Sequence, residues 1–463
     1  MAHGKKKEKI LMPEEKLQEA LVPKSEQPYE VPENWRYYRI NGLVTHLKRG
    51  KAPKYVEQSN ILVFAQKCNQ KDGTIAMEKA QFLSPEITVR IREDEFLKDE
   101  DVLINSTGTG TLGRVGYYRS HYALPYLRVL PDSHMTVIRA LSIVSPKYLY
   151  YYLKLKQEYL ELQGVGTTNQ KELRPEAIGN IIMPLPPLPE QQRIVSRIES
   201  LFAKLDEAKE KAQAVIDEFE DRKAAILHKA FTGELTEGWR KTKNIDFDNS
   251  WRNCTLGDFA SSQYGYTEKA SFEKIGPRFL RITDIQDGQV IWTDVPYCKI
   301  DDKSKSKYSL SFGDIVVARI GATTGKSYMI IDEVDAVYAS YLIRVSIQRK
   351  ELLRSKYLYY FLQCPSYWRQ ITELSSGIAQ PGVNGNKLKT LQLPIPEVKE
   401  QDIIVDYLDR LLPVERQAKE SAEQVIAQID TMKKSILSRA FRGELGTNDP
   451  SDESAEELLK RIL

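Results

Sequence analysis

Residues 190–235 constrain this chain more than any other stretch: EQQRIVSRIESLFAKLDEAKEKAQAVIDEFEDRKAAILHKAFTGEL. The apolar positions Ile194, Ile198, Leu201, Leu205, Ala208, Ala212, Val215, Phe219 and Ile226 follow alternating steps of four and three. Arg222 is the one polar member of the row. That spacing predicts a long helix with one narrow apolar seam. Pro184, Pro186, Pro187 and Pro189 set its start, and Gly233 stops it after Phe231. The stretch then recurs at 400–445 as EQDIIVDYLDRLLPVERQAKESAEQVIAQIDTMKKSILSRAFRGEL. At an offset of about 210 residues, Glu190, Gln191, Ile194, Val195, Val215, Ile226, Leu227, Ala230, Phe231, Gly233, Glu234 and Leu235 meet identical partners. The second seam reads Ile404, Leu408, Leu411, Ala418, Ala422, Val425, Ile429, Met432 and Ile436. Glu415 interrupts it just after Pro413, which is expected to kink the helix. The two helices are expected to pack antiparallel, seam against seam, because parallel copies would need a long return connection.

A chain of 463 residues is too long for one core and suggests two or three domains. Hydrophobic content of 41% and charged content of 28% are those of a soluble globular protein. No apolar run approaches the roughly 18 residues of a membrane span. The start, MAHGKKKEKI, has no apolar core behind it and is not a secretory signal. Cys68, Cys254, Cys298 and Cys364 have no metal-ligand spacing and read as thiols of a reducing cytoplasm. Net charge is only +3, but it is unevenly placed. Residues 35–187 carry about six more basic than acidic groups and residues 251–396 about five more, whereas each heptad stretch is slightly acidic. Two basic globular regions joined by acidic helices point to a polyanion at the globular parts.

The order along the chain is an N-terminal arm at 1–30, a globular region at 31–187, a helical region at 188–240, a second globular region at 245–396, a second helical region at 397–446 and a tail at 447–463. The arm can form one short helix, EEKLQEAL, ended by Pro23. Trp35 and Trp251 open the globular regions, and the repeat continues inside them. VFAQKCNQKDGTI at 63–75 lies opposite FLRITDIQDGQV at 279–290, with Asp72-Gly73 and Asp287-Gly288 as hairpin-type turns. DVLINSTGTGTLGRVGYY lies opposite DIVVARIGATTGKSYMI, each a strand, a Gly/Thr turn and a second strand. KYLYYYLK and KYLYYFLQ read as helices whose tyrosines belong to a core.

Two phosphate-loop look-alikes fall in the Gly/Thr turns. Gly108, Gly110 and Gly113 satisfy GxGxxG, and GATTGKS at 321–327 is one residue short of a Walker A loop. Both need a helix right after the glycines, and strand-like sequence follows instead. His3, His46, His121, His134 and His228 have no metal-type neighbours, and neither GxSxG, HExxH nor the Asp/Asn-Pro-Pro-aromatic run of amino-methyltransferases occurs. The polar groups that do recur are of DNA-reading type: Asn105, Thr107, Thr109 and Arg114 in one turn, and Arg319, Thr323, Thr324 and Lys326 in the other. The hairpin loops add Gln66, Lys67, Asn69 and Gln70 on one side and Arg281, Thr283 and Asp284 on the other. Arg pairs with guanine edges, Asn and Gln with adenine, and Lys with phosphate. Arg49, Lys51, Lys54, Lys303, Lys305 and Lys307 suit phosphate contact or plain surface.

PLPPLPEQQRIVSRIESLF…AILHKAFTGEL and PIPEVKEQDIIVDYLDRLL…SILSRAFRGEL resemble the two helical regions of the specificity subunit of type I restriction-modification systems. The likeness covers nearly the whole chain, because the tandem order fits as well. Pro413, Glu415 and the long basic arm depart from the pattern. The resemblance implies an α+β fold with two similar target-recognition domains separated by two long helices. Those helices would form an antiparallel coiled coil, an internal tandem repeat with pseudo-two-fold symmetry. The helix-pair interface would use Ile194, Ile198, Leu201, Leu205, Val215, Phe219 and Ile226 against Ile404, Leu408, Leu411, Val425, Ile429, Met432 and Ile436. It further implies a non-catalytic, cytoplasmic subunit with no metal or cofactor of its own. Its partners would be double-stranded DNA, two modification (adenine-methyltransferase) subunits and restriction (motor and nuclease) subunits. S-adenosylmethionine, ATP and Mg are expected on those partner subunits. The target would be bipartite and asymmetric, since GTGTLGR differs from GATTGKS, and QKCNQKDG from RITDIQDG.

Overall fold

The computed structural model describes residues 13–126, 128–166, 171–286, 288–375, 382–454 and 457–458. Asp287 of the second Asp-Gly turn and the basic start of the arm lie outside them. The chain forms two compact units, Met1–Glu210 with Ile426–Leu463, and Lys211–Val425.

In the first unit the apolar runs become central strands. Val102–Asn105 (VLIN) and Ile61–Phe64 (ILVF) are buried at every position, as continuous apolar stretches require. Val102–Asn105 lies between Met135–Ala140 and Val115–Tyr117 in an antiparallel sheet, with Val44–Arg49 at the far edge. Ile61–Phe64 pairs in parallel with Arg128–Pro131 and antiparallel with Gln81–Leu83. A ribbon of Arg36–Arg39 with Ile182–Leu185 brings the two ends of the domain together. The described part of the arm is docked, not free: Ala20 and Val22 are buried, and Leu21 bridges to Tyr38.

The second unit repeats this plan. Ala260–Tyr264, Leu342–Ile347, Ile315–Ala318 and Ser327–Met329 form the same four-stranded order. Arg278–Leu280 and Ala336–Tyr338 form the parallel pair, and Arg252–Thr255 with Gln392–Ile395 the closing ribbon. A pair of glycines, Gly50 and Gly265, also marks the repeat. A Cβ on Gly50 would lie 2.1 Å from the Pro131 carbonyl oxygen, and one on Gly265 2.3 Å from that of Ala339. Each glycine lets an edge strand cross tightly over the end of its parallel pair.

The recurrent helix motifs meet at one junction in each unit. In the first, Tyr148 donates to the Pro184 carbonyl (2.8 Å), and Phe441 of the AFRGEL exit packs edge-on against Tyr148 and Tyr152. Gln191 binds the Ile143 and Pro186 carbonyls and the Ser145 amide. In the second, Tyr357 donates to the Pro394 carbonyl (2.7 Å), and Phe231 packs against Tyr357 and Phe361. Gln401 there repeats the part of Gln191, binding the Leu352 and Pro396 carbonyls and the Arg354 amide. The proline run, the tyrosine helix and the exit phenylalanine are thus parts of one packed corner.

The helices pair antiparallel within each unit. In the first, Arg193 reaches the Thr447 carbonyl (2.9 Å) and Asp206 meets Lys433 (2.6 Å). In the second, Arg222 binds Glu415 (2.8 Å) and Thr236 binds Glu400 (2.5 Å). Partner numbers fall as residue numbers rise in both.

Three details differ from the heptad reading. The helix Val398–Ala440 runs through Pro413 without interruption, and it is the first helix that divides, into Leu188–Asp217 and Phe219–Phe231. The Arg222 guanidinium takes the Val215 carbonyl (3.0 Å) beside that division, replacing backbone satisfaction with a side chain. Leu411, Val425 and Met432, expected in the seam, are exposed at 38%, 42% and 42%, as is Ala418. The buried row steps four from Leu408 to Leu412, not three to Leu411, and continues through Ala422 and Ile429. Glu415 lies opposite Arg222, so the two polar interruptions of the separate seams satisfy each other.

Candidate nucleic-acid interface

In the first domain the Gly/Thr turn joins the central strand Val102–Asn105 to the edge strand Val115–Tyr117. Gly108, Gly110 and Gly113 take φ values of +101°, +76° and +78°, so the turn needs glycine for its backbone. Gly321 (+76°) and Gly325 (+90°) do the same before Ser327–Met329. Strands follow both glycine clusters, and neither has the helix N-terminus of a nucleotide loop.

The hairpin loop of residues 66–75 lies against this turn. Asn69 donates to Asn105 Oδ1 and to the Arg114 carbonyl, each at 3.0 Å, and Asn105 donates to the Gln66 carbonyl (3.1 Å). Both asparagines are fully buried. They are struts between the two loops and do not reach the surface, contrary to their place among the expected base readers. Their amides tie the two irregular loops together, adding to the backbone bonds that the Arg114 and Gln66 carbonyls already accept. Lys67 and Thr109 are exposed, while Gln66, Gln70, Thr107 and Arg114 are half-buried. Gln66 accepts from Thr111 (3.2 Å), Gln70 donates to the Lys67 carbonyl (2.7 Å), and Arg114 donates to the Gly110 carbonyl (3.0 Å). The exposed His134 shares a 2.6 Å hydrogen bond with Thr107. Only the fold puts it there, 27 residues along the chain. Arg49 is ion-paired to Glu172, Lys51 to Glu95 and Lys54 to Glu86, so all three cations of that edge already have acidic partners.

The second domain carries different chemistry on the same frame. Arg281 folds back on Asp284, whose carboxylate also accepts the Arg281 amide (2.8 Å). Thr283 and Lys326 are exposed, Thr323 is half-buried, and Thr324 is buried with its hydroxyl on the Gly321 carbonyl (2.8 Å). The Arg319 guanidinium stands 5.0 Å over the ring of Tyr264, an exposed aromatic that the strand pattern concealed. Each domain therefore presents a strand-borne turn and an adjoining loop of donors and acceptors, a surface suited to groove edges and phosphates.

No helix of the described residues is long and apolar enough to cross a membrane. A family profile described as "Type I restriction modification DNA specificity domain" matches residues 32–217 and 249–424. The type I restriction enzyme StySPI specificity subunit of Salmonella potsdam is 22% identical over 428 residues, covering 90% of each chain. The MjaVIII specificity subunit of Methanocaldococcus jannaschii is 25% identical over 435 residues, covering 90% of this chain and 94% of that one. Among solved structures, the HsdS subunit from Thermoanaerobacter tengcongensis has the same fold, with a TM-score of 0.65 at 20% identity over 91% of this chain and 100% of that one. Matched by the family in both halves, the chain belongs to the specificity subunits of type I restriction-modification systems, the non-catalytic subunits of those systems.

Proposed function

We propose that this subunit recognises a bipartite, asymmetric site on double-stranded DNA, one half-site per domain, and recruits modification and restriction subunits to it. The observation that carries the reading is one site frame built twice with different side chains. The turns Asn105–Arg114 and Arg319–Lys326 leave equivalent strands, yet one offers threonines beside a histidine and the other an arginine over a tyrosine. Equal frames with unequal side chains suit two readers of unequal sequence. Recruitment is supported by the second helix, where Tyr407, Leu411, Val414 and Val425 remain exposed outside the seam. Such a stripe is costly to leave in water and suits a protein partner. S-adenosylmethionine, ATP and Mg belong, on this reading, to the modification and restriction subunits in the cytoplasm.

The test is a domain exchange. Residues 31–187 are replaced by the matching segment of another family member, and the methylated sites of a host carrying the complex are mapped. One half-site should change and the other stay. A change in both, or in neither with methylation retained, would defeat the modular reading.

A further inference from the structure

Against the two loops of the first domain stands a lysine that the proposed recognition does not use. The helix Pro146–Leu155 ends at Lys156, and Gln157–Leu162 begins a second short helix. At this joint Lys154 Nζ donates to the Lys71 carbonyl of the hairpin loop (3.1 Å) and to Gln157 Oε1 (3.1 Å). Gln157 Oε1 also accepts the amide of Val115, the first residue beyond the Gly/Thr turn (3.4 Å). A continuous hydrogen-bonded path therefore runs from one loop through Lys154 and Gln157 to the other. The glycines of both loops press on the same joint. A Cβ on Gly73 would lie 2.7 Å from the Tyr150 hydroxyl and 3.3 Å from Lys154 Nζ, and one on Gly113 would lie 2.9 Å from Glu161.

The second domain solves the same problem without charge. Gln363 occupies the repeat position of Lys154 and donates to the Tyr359 carbonyl of the turn before it (3.4 Å). The turn is held instead by the buried Tyr367, whose hydroxyl donates to the Gly325 carbonyl (2.7 Å).

We propose that Lys154, acting with Gln157, is a positioning residue that sets the relative placement of the two reading loops of the first domain, and with it the base preference of one half-site, without touching DNA. This rests on the bipartite reading above. Burial lowers the Lys154 ammonium to about 8; Asp72, Asp430 and Glu161 oppose that shift and Arg114 adds to it. Those four groups and the Tyr150 hydroxyl are ionisable neighbours of the amine among the described residues. Charge-assisted bonds are about twice as strong as neutral ones, so deprotonation should loosen the clamp.

The experiment selects full-length wild-type protein and its Lys154→Met, Lys154→Arg and Tyr367→Phe variants against a library of DNA duplexes with randomised cores, and sequences the bound fraction. Lys154→Met should lose about tenfold or more in base discrimination at one half-site, the scale of a lost hydrogen bond to a charged group. The other half-site should be unchanged. Tyr367→Phe should blur the opposite half-site. Wild-type preference at the first half-site should weaken as pH rises through about 8, and Lys154→Arg should keep it. Two sharp half-sites in Lys154→Met would overturn the clamp and leave the bipartite reading intact. Loss at both half-sites in that variant would show a global role and also overturn it. A wild-type chain with no sequence preference would sink the bipartite reading itself, and the clamp with it.

Discussion

Just beyond the exit motif of the first helix, Arg240 forms a buried ion pair with Glu400 whose removal should be costly and local. Glu400 and Arg240 are exposed by only 1% and 6%. Arg240 binds the Glu400 carboxylate, donates to Thr236 Oγ1 (2.9 Å) and to the Gly233 carbonyl (2.5 Å), and stacks over the Phe247 ring at 4.9 Å. Replacing Arg240 with Met leaves Glu400 as an uncompensated buried charge, which costs about 3–5 kcal/mol. For a unit the size of Lys211–Val425, each kcal/mol is worth about 2–4 °C, so its transition should fall by roughly 6–20 °C. Calorimetry reads the shift. Hydrogen exchange assigns it, since a chain of two compact units has no single two-state transition. Amides of Lys211–Val425 should lose protection, and those of the other unit should keep theirs. The double variant Arg240→Met/Glu400→Gln should recover most of the loss, because no charge is then stranded. If Arg240→Met costs no more than an exposed pair, under about 1 kcal/mol, or if the double variant is no better than the single, the stranded-charge argument is refuted.

Other expectations follow from the same geometry. Burial holds the Glu190 carboxyl above the ordinary glutamate range, against the donors Trp35 and Asn448 that pull it down. The folded state therefore binds that proton more tightly than the unfolded one, and stability should fall as pH rises from the ordinary glutamate value through the raised one. Melting curves across acid pH should lose that slope in Glu190→Gln, and a slope kept there would refute it. Leu412→Asp should cost about 2 kcal/mol or more, because Leu412 packs on the core, whereas Leu411→Asp should stay within about 0.5 kcal/mol. In pull-downs with modification subunits, Leu411→Asp should nonetheless lose partner if the exposed stripe is a docking face. Gly325→Ala should cost more than Gly110→Ala. Both have positive φ, but a Cβ on Gly325 would lie 2.8 Å from Ile371 Cγ2, and one on Gly110 meets nothing within 4 Å. Equal melting shifts would leave only backbone strain as the cause.

The sequence alone marked the two long helical regions and the tandem repeat. Those features rest on signals close together in the chain. Four-three spacing marks a helix face, proline and glycine mark its ends, and an uninterrupted run such as VLIN or IVVA marks a central strand. It also disposed of the phosphate-loop look-alikes, since the strand-like residues after Gly113 and Gly325 were legible beside them. Tertiary structure decided what depends on a distant partner. Leu411 and Leu412 both continue a helical row, and only packing against the core selects Leu412. Arg222 and Glu415 were each visible as a flaw in a seam, but their pairing required the antiparallel register. Asn69 and Asn105 looked like base readers because type and loop position favour exposure, and they are buried because the fold joins the two loops through their amides. Lys154 carried no sequence signal at all, since its role comes from a carbonyl 83 residues away. Hydrogen-bond satisfaction is a property of the folded surroundings, and a polar side chain shows its bonding partners only when the backbone groups it must serve have been brought beside it.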